Sequence, residues 1–199
     1  LKKKKYGDTA REEGPKSHFD KSGTPTMGGL LIIGAILFAT AIAGNFTNKF
    51  IVFLFIITIL FTTIGFYDDY LKLTKHKKGL SGKKKILGQL IITALTFGFV
   101  YKFGLVSKTI DFSIINPLIK NSYVYIGPGL FFVFMMFVII GSSNAVNLTD
   151  GLDGLVSGPI IIVSVTLFII TYLTGHYEYA KYLNLYHIRD AAEITVYLA

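Results

Sequence analysis

The sequence predicts an all-α fold, a polytopic bundle of transmembrane helices. Its 199 residues are 52% hydrophobic and only 16% charged, and the mean hydropathy is +0.55. Several apolar runs exceed the roughly 18 residues that cross a hydrocarbon core of about 30 Å. The chain has no cysteine, which excludes disulfides and thiolate metal sites. We therefore expect an integral membrane protein and treat residues 1–199 as part of a single transmembrane domain.

Taken in chain order, the apolar runs predict five complete helices and the start of a sixth. The complete helices are expected at about residues 28–44, 50–67, 86–103, 129–146 and 155–174, and the sixth begins near Ala191. The second helix is expected to end at Asp68-Asp69, before a basic loop over 70–85. Between the third and fourth helices, alternating and β-branched residues predict a short β-hairpin within about 110–126.

The distribution of lysine and arginine predicts how these helices are oriented. Seven of the 20 basic residues lie in 1–27, seven lie in 70–85, and the other six lie in connections expected on the opposite side. Cytoplasmic loops carry such an excess of positive charge, so both basic segments are expected in the cytoplasm. This bias explains most of the formal net charge of +8 without nucleic acid as a partner.

Asp68 and Asp69 directly follow an apolar run and are expected at the cytoplasmic end of the second helix. A helix C-terminus carries partial negative charge and disfavours anions, so two adjacent carboxylates there call for a nearby cation. Adjacent helical residues point about 100° apart. One carboxylate is therefore expected to face a site, while the other braces it or binds metal. The alternative, that the pair only marks the membrane interface, is weaker.

A second polar segment, NAVNLTDGLDG at 144–154, follows the fourth apolar run. Its amide and carboxylate side chains recur every three residues, at Asn144, Asn147, Asp150 and Asp153. Gly151 and Gly154 let the chain leave helical geometry and approach a ligand closely. Oxygen donors of this kind suit Mg²⁺, which is held by one or two carboxylates together with substrate phosphates. Taken alone, the segment is equally typical of a polar turn; with Asp68-Asp69 on the same side, it favours a divalent-metal site.

Residues 21–29, KSGTPTMGG, stand immediately before the first helix. Small residues and threonine hydroxyls at a helix N-terminus can present donors to an anion, although they serve an entry turn equally well. A Walker P-loop pattern is absent. The basic loop at 70–85 suits anionic lipid headgroups and would also attract a polyanionic soluble substrate. Together these features suggest phosphoryl transfer between a lipid and a cytoplasmic phosphate ester, with Mg²⁺ taking up charge.

Four motifs resemble the polyprenyl-phosphate N-acetylhexosamine-1-phosphate transferases. They are GTPTMGG (23–29), FYDDYLKL (66–73), GLSGKKKILGQ (79–89) and NAVNLTDGLDGL (144–155). The resemblance extends, with the motifs in order, from about residue 11 to the end of the chain. The opening GPKSH and GTPTMGG segments make the chain most similar to the phospho-N-acetylmuramoyl-pentapeptide transferase branch of that family.

This resemblance implies a ten-helix homodimer in the cell inner membrane, with its active site on the cytoplasmic face. Such enzymes transfer phospho-MurNAc-pentapeptide from UDP-MurNAc-pentapeptide to undecaprenyl phosphate with Mg²⁺ as cofactor. The products are lipid I and UMP, in the first membrane step of peptidoglycan synthesis. A nucleoside inhibitor in the uridine pocket is a further expectation. By the same resemblance the chain is an internal piece that lacks the first helix, a further metal-binding aspartate and a His-rich cytoplasmic loop.

The resemblance also implies roles for individual residues. Asp68 and Asp69 match the family's aspartate pair, of which Asp68 in preference deprotonates the lipid phosphate or acts as nucleophile. The implied catalytic residues are Asp68, Asp69 and Asp150, and the implied metal ligands are Asp68 and Asp150. The implied substrate-binding residues are Lys21, Thr26, Lys84, Asn144, Asn147 and Asp153, with Lys21 and Asp153 toward the uridine end.

Three other functions stay open at the level of sequence. A sister transferase would use UDP-N-acetylglucosamine, and only the N-terminal motif argues against it. A cation transporter would place carboxylates near the bilayer midplane on interrupted helices, whereas here they are expected at helix ends on one side. A non-catalytic scaffold whose basic loop binds anionic lipid leaves Asp68-Asp69 and the 144–154 segment unexplained.

Overall fold

The computed structural model describes residues 28–74, 79–103, 112–115, 123–149 and 155–199. The helices in these ranges are α1 (Gly28–Ala43), α2 (Lys49–Thr74), α3 (Gly82–Phe103), α4 (Gly127–Thr149), α5 (Ser157–Gly175), α6 (Tyr177–Tyr182) and α7 (Ile194–Leu198). A 3₁₀ turn, Ala191–Glu193, leads into α7. The strands β1 (Ser113–Ile115) and β2 (Tyr123–Tyr125) pair antiparallel, as predicted for this connection.

The predicted bundle of transmembrane helices is confirmed. Within the described ranges, the four helices α2 to α5 contain spans long and apolar enough to cross a bilayer, and α1 is a shorter apolar helix of 16 residues. Neither α4 nor α5 has a buried residue, and large apolar side chains are exposed along both. So much exposed apolar surface is unfavourable in water. It is typical of helices that face lipid or other membrane helices.

The end of α2 differs from the sequence prediction. The helix does not stop at Asp68-Asp69 but continues to Thr74. Lys72 lies in its last turn and pairs with both carboxylates, so the unfavourable effect of anions near a helix C-terminus is offset. The predicted stop was therefore wrong, and Asp68 lies inside the helix.

The start of α3 and both ends of α4 also differ from prediction, whereas α3 ends at Phe103 as predicted. The third helix begins at Gly82, not near residue 86, so Lys84 belongs to its first turn. The fourth helix extends to Thr149 and includes Asn147. Parts of both polar segments are thus held by regular helices, which fixes their side chains more firmly than a loop would.

Helix α2 is the central element, because it contacts α1, α3 and α7. At its start, Asn48 caps the helix: its Oδ1 accepts the Phe50 N–H at 2.8 Å. The Asn48 Nδ2 donates to the backbone carbonyl of Asp190 at 2.9 Å. Further along α2, the hydroxyls of Thr58 and Tyr197 are 2.5 Å apart. These contacts hold α7 and the turn at Asp190 against α2.

Aromatic rings join α3 to α4 beside the β-strands. The rings of Phe97 and Phe132 lie 5.2 Å apart, and those of Phe112 and Phe131 lie 5.4 Å apart. Edge-to-face packing at these distances adds to the energy of burial. This cluster and Asn48 lie at the opposite end of the bundle from Asp68. The contacts around Asp68 therefore form a separate set.

The double role of Asn48 predicts a stability effect. In the full-length protein, Asn48→Ala removes a helix cap and leaves the Asp190 carbonyl without its donor. We expect the free energy of unfolding to fall by about 1–2 kcal/mol, seen as a lower midpoint of thermal unfolding in detergent.

Asn45→Ala is the matched control, since the Asn45 side chain accepts exposed, local hydrogen bonds from Thr47. Equal shifts in the two variants would contradict the role assigned to Asn48.

Candidate active site

Asp68 is a buried carboxylate within α2, with 7% of its surface exposed. Its Oδ1 accepts the backbone N–H of Leu80 at 2.7 Å, and its Oδ2 lies 2.9 Å from the Lys72 ammonium. The side chain therefore joins α2 to the segment that leads into α3. Because an unpaired buried carboxylate is strongly unfavourable, these two partners are what allow Asp68 to occupy this position.

Lys72 lies between the two adjacent aspartates. Its Nζ is 2.9 Å from Asp68 Oδ2 and also 2.9 Å from Asp69 Oδ1. The exposed fraction of the side chain is 11% for Asp68 and 38% for Asp69, so the two carboxylates have different surroundings. The cation that the sequence called for beside the pair is, in the structure, this lysine.

Lys85 connects α3 to the polar segment of α4. Its Nζ donates to Asn147 Oδ1 at 3.0 Å, and its charge also attracts the Asp68 carboxylate. Lys84, the neighbouring lysine expected to meet substrate, is exposed on the same helical turn. One of these lysines is therefore engaged within the protein, while the other is directed to its surroundings.

Asn144 and the buried Gln89 form a partly buried polar contact between α3 and α4. The Asn144 Nδ2 donates to Gln89 Oε1 at 2.9 Å and to the Ile140 carbonyl at 2.8 Å. The Gln89 Nε2 donates to Ser143 Oγ at 3.1 Å. In this arrangement the Asn144 amide nitrogen contributes to holding the two helices together, and the substrate contact that the resemblance implied for Asn144 stays a prediction.

We call residues 68–72, 79–85 and 144–149 the polar end of the bundle. The structure brings together there five predicted site residues: Asp68, Asp69, Lys84, Asn144 and Asn147. The other four, Lys21, Thr26, Asp150 and Asp153, lie outside the described residues. The expected convergence of the aspartate pair, the basic segment and the start of the 144–154 segment is confirmed for the parts that the structure describes.

Several residues in and beside the polar end were not predicted from the sequence. Lys72 could have been found from its spacing of four from Asp68, which places it on the same helix face.

Lys85 and Gln89 begin a polar stripe along the apolar α3 that continues with the buried Thr93 and Thr96. A polar stripe at helical spacing in a membrane helix predicts a face turned toward protein. Gly79 carried no comparable signal.

The oxygen donors at the polar end fit Mg²⁺ in chemical type. Asp68 and Asp69 supply carboxylate oxygens, the kind of ligand that Mg²⁺ prefers, and already share one cation, the Lys72 ammonium. Among the residues that the structure describes, no group of three or more His, Cys, Asp or Glu side chains could hold a metal. The fit therefore depends on the aspartate pair; Asp150, the other predicted ligand, lies outside the described residues.

Comparisons with known proteins agree on one family. The family model for glycosyl transferase family 4 matches residues 50–188, and the model for phospho-N-acetylmuramoyl-pentapeptide-transferase signature 1 matches residues 21–33. The chain is 47% identical over 201 residues to the phospho-N-acetylmuramoyl-pentapeptide-transferase of Fusobacterium nucleatum subsp. nucleatum. That match covers 100% of this chain and 55% of the relative, so the chain spans about half the relative's length.

The contact between Gln89 and Asn144 predicts energetic coupling across the helix interface. In the full-length protein, Gln89→Leu and Asn144→Leu each remove one side of the hydrogen bond. A double-mutant cycle on the free energy of unfolding should give a coupling of about 0.6 kcal/mol and at most about 1.7 kcal/mol, the average and the largest values that such cycles give for hydrogen bonds between membrane helices.

The pair Lys84→Ala and Asn144→Leu serves as the control cycle, because Lys84 is exposed. This control pair should be additive. Additivity of Gln89 and Asn144 as well would show that the contact does not hold the helices together.

Proposed function

Because the chain belongs to glycosyl transferase family 4, we propose that it forms part of a phospho-N-acetylmuramoyl-pentapeptide transferase. In this proposal the full-length protein transfers phospho-MurNAc-pentapeptide from UDP-MurNAc-pentapeptide to undecaprenyl phosphate, which yields lipid I and UMP. The signature at 21–33 and the 47% identical relative support the choice of substrates. The observation that carries the chemistry is the buried, oriented Asp68 carboxylate among the lysines of the polar end.

Asp68 is the residue proposed to act on the reacting phosphates. A base or nucleophile must be held within reach of the atoms on which it acts, and burial with two fixed partners holds the Asp68 carboxylate in one orientation. As base, Asp68 takes the proton of undecaprenyl phosphate, whose oxygen attacks the sugar-linked phosphorus of the nucleotide. The bond from that phosphorus to the bridging oxygen breaks, and UMP leaves. As nucleophile, Asp68 attacks that phosphorus itself, the same bond to the bridging oxygen breaks and UMP leaves; the lipid phosphate then attacks the phosphorus and displaces the Asp68 carboxylate.

The lysines of the polar end divide between positioning and substrate attraction. Lys72 forms ion pairs with both aspartates and so reduces their combined negative charge next to the lipid. Lys85 orients the Asn147 amide, which we propose contacts the nucleotide sugar. Lys84 is exposed and is proposed to meet the diphosphate of the incoming substrate. Charges placed in this way favour the approach of a polyanion.

The remaining proposed roles belong to residues outside the described part and to the metal. Asp150 joins Asp68 as a proposed ligand of Mg²⁺, which supplies neutralisation of phosphate charge when bound. Lys21, Thr26 and Asp153 are proposed contacts of the nucleotide. Asp69 is proposed to hold Lys72 in place, since the two groups already pair.

The lysine distribution supports a proposed orientation in the membrane. Of the two segments with seven basic residues each, the one at 70–85 overlaps the polar end along the chain, which favours a cytoplasmic position for the polar end. We propose that the full-length protein is a homodimer in the inner membrane, and that residues 1–199 are part of one transferase domain. We also propose that nucleoside inhibitors bind in its uridine pocket. The sister reaction with UDP-N-acetylglucosamine is the alternative that the activity test must separate.

The first functional prediction concerns Asp68. In the full-length protein with undecaprenyl phosphate and UDP-MurNAc-pentapeptide, we expect UMP release that requires Mg²⁺. Asp68→Asn keeps the shape of the side chain but removes its charge and basicity, so kcat should fall by about 10²–10⁴-fold.

Asp190→Asn is the matched control, because that side chain is exposed at the other end of the bundle; it should leave kcat unchanged. Turnover of UDP-N-acetylglucosamine alone would assign the protein to the sister reaction. Retention of full activity in Asp68→Asn would contradict the role of this carboxylate.

The second functional prediction separates the two adjacent lysines. Lys84→Met removes an exposed charge and should raise KM for the nucleotide substrate with little change in kcat, an effect weakened by added salt. Lys85→Met breaks the hydrogen bond to Asn147 and should lower kcat. If steady-state kinetics show the same pattern for both variants, this division of roles is wrong.

A further inference from the structure

We propose that the Gly79-Leu80 segment positions the Asp68 carboxylate, with Gly79 and Leu80 as positioning residues for the reaction. This inference rests on the proposed function for its kinetic consequence, but the arrangement itself does not depend on what the substrate is. It assigns a role to two residues of the GLSGKKKILGQ motif that carry neither charge nor a functional group in the side chain.

The first observation is the hydrogen bond from the segment to the carboxylate. The Leu80 backbone N–H donates to Asp68 Oδ1 at 2.7 Å. A bond to a charged acceptor of this length is stronger than one between neutral groups. The donor is also fixed in space, because the carbonyl of the next residue, Ser81, accepts the Lys85 N–H at 3.1 Å and so begins α3. The start of α3 thus determines where Asp68 Oδ1 lies.

The second observation is the absence of room for a side chain at position 79. A Cβ built on Gly79 would lie 2.5 Å from Asp68 Oδ1. It would also lie 3.0 Å from Cε and 3.2 Å from Cγ of Lys72. The atoms that block the Cβ are therefore the catalytic carboxylate and the lysine that pairs with it. Only glycine lets the backbone approach the carboxylate this closely.

These contacts predict how a methyl group at position 79 would be accommodated. The group that can give way most easily is the end of the Asp68 side chain, since the alternative is movement of the backbone. Rotation of the carboxylate breaks the bond to Leu80 and disturbs the pair with Lys72. The fold of the bundle is kept, while the reacting group is displaced. Gly79→Ala should therefore impair catalysis much more than stability.

The kinetic test uses the full-length protein and a matched glycine. Gly82 lies three residues further along, at the start of α3, and a Cβ there would meet nothing within 4 Å. We expect Gly79→Ala to lower kcat on the order of 100-fold, as a displacement of about 1 Å does at reacting groups, with KM and the thermal unfolding midpoint little changed. Gly82→Ala should leave kcat unchanged. Equal kcat values in the two variants, or a change confined to KM, would overturn the proposal.

A second pair of variants tests the hydrogen bond without adding bulk at position 79. Leu80→Pro removes the N–H donor, whereas Leu80→Ala keeps it and trims only the side chain. The proline variant should lose far more kcat than the alanine variant, because only proline removes the donor to Asp68. These two Leu80 variants also test the positioning role if Gly79→Ala does not yield folded protein. Equal kcat values in the two Leu80 variants would overturn the proposal.

An NMR measurement separates failure of this proposal from failure of the proposed function. In protein with isotope-labelled leucine, the Leu80 amide signal is identified by its loss in Leu80→Ala. We expect an amide proton shifted downfield by the carboxylate, moved upfield in Gly79→Ala and unmoved in Gly82→Ala. Absence of these changes overturns the positioning role. The expected changes in a protein without transferase activity would keep that role and reject the proposed function instead.

Discussion

A carboxylate inside an apolar helix is the constraint on which the polar end depends. Asp68 is buried in α2, where an uncompensated negative charge would be strongly unfavourable. Its compensation comes from two directions, because Lys72 approaches along the same helix and the Leu80 N–H approaches from the start of α3. Satisfying this one group therefore connects two helices and fixes their relative position. Lys85 extends the connection to Asn147 on α4, so that three helices meet around a single buried charge.

The contacts between helices that position the candidate site are also polar, and the membrane gives a physical reason for this. Lipid is as apolar as leucine, so apolar contacts alone give membrane helices little preference for one register. Gln89 and Asn144 give α3 and α4 such a preference, and Asn48 gives one to α2 and the Asp190 turn. Among the described residues, no buried side-chain nitrogen or oxygen lacks a hydrogen-bond partner. Binding and positioning groups can therefore be polar without making the bundle unstable.

The sequence was sufficient to predict the long apolar helices, because long apolar runs have no other stable form in a bilayer. It also identified the aspartate pair and the polar segment that begins at Asn144, since charged and polar groups next to membrane-spanning runs are energetically unfavourable and typical of functional sites. It placed the end of α2 wrongly because the pair was taken as a stop, whereas Lys72 makes the pair compatible with a longer helix. Gly79 could not have been predicted, because its importance comes from a contact with Asp68 across the interval between two helices. Contacts of that kind depend on tertiary packing, which no local pattern records.

The measurement that tests the central claim most directly follows the transferred phosphate itself. The full-length protein in nanodiscs is given undecaprenyl phosphate and UDP-MurNAc-pentapeptide that carries radioactive phosphorus next to the sugar. If the polar end catalyses phosphosugar transfer through Asp68, the label moves into the lipid fraction in step with UMP release, and it stays in the aqueous fraction with Asp68→Asn. Label that stays in the aqueous fraction with folded wild-type protein, or that reaches lipid equally well in the variant, would contradict the account.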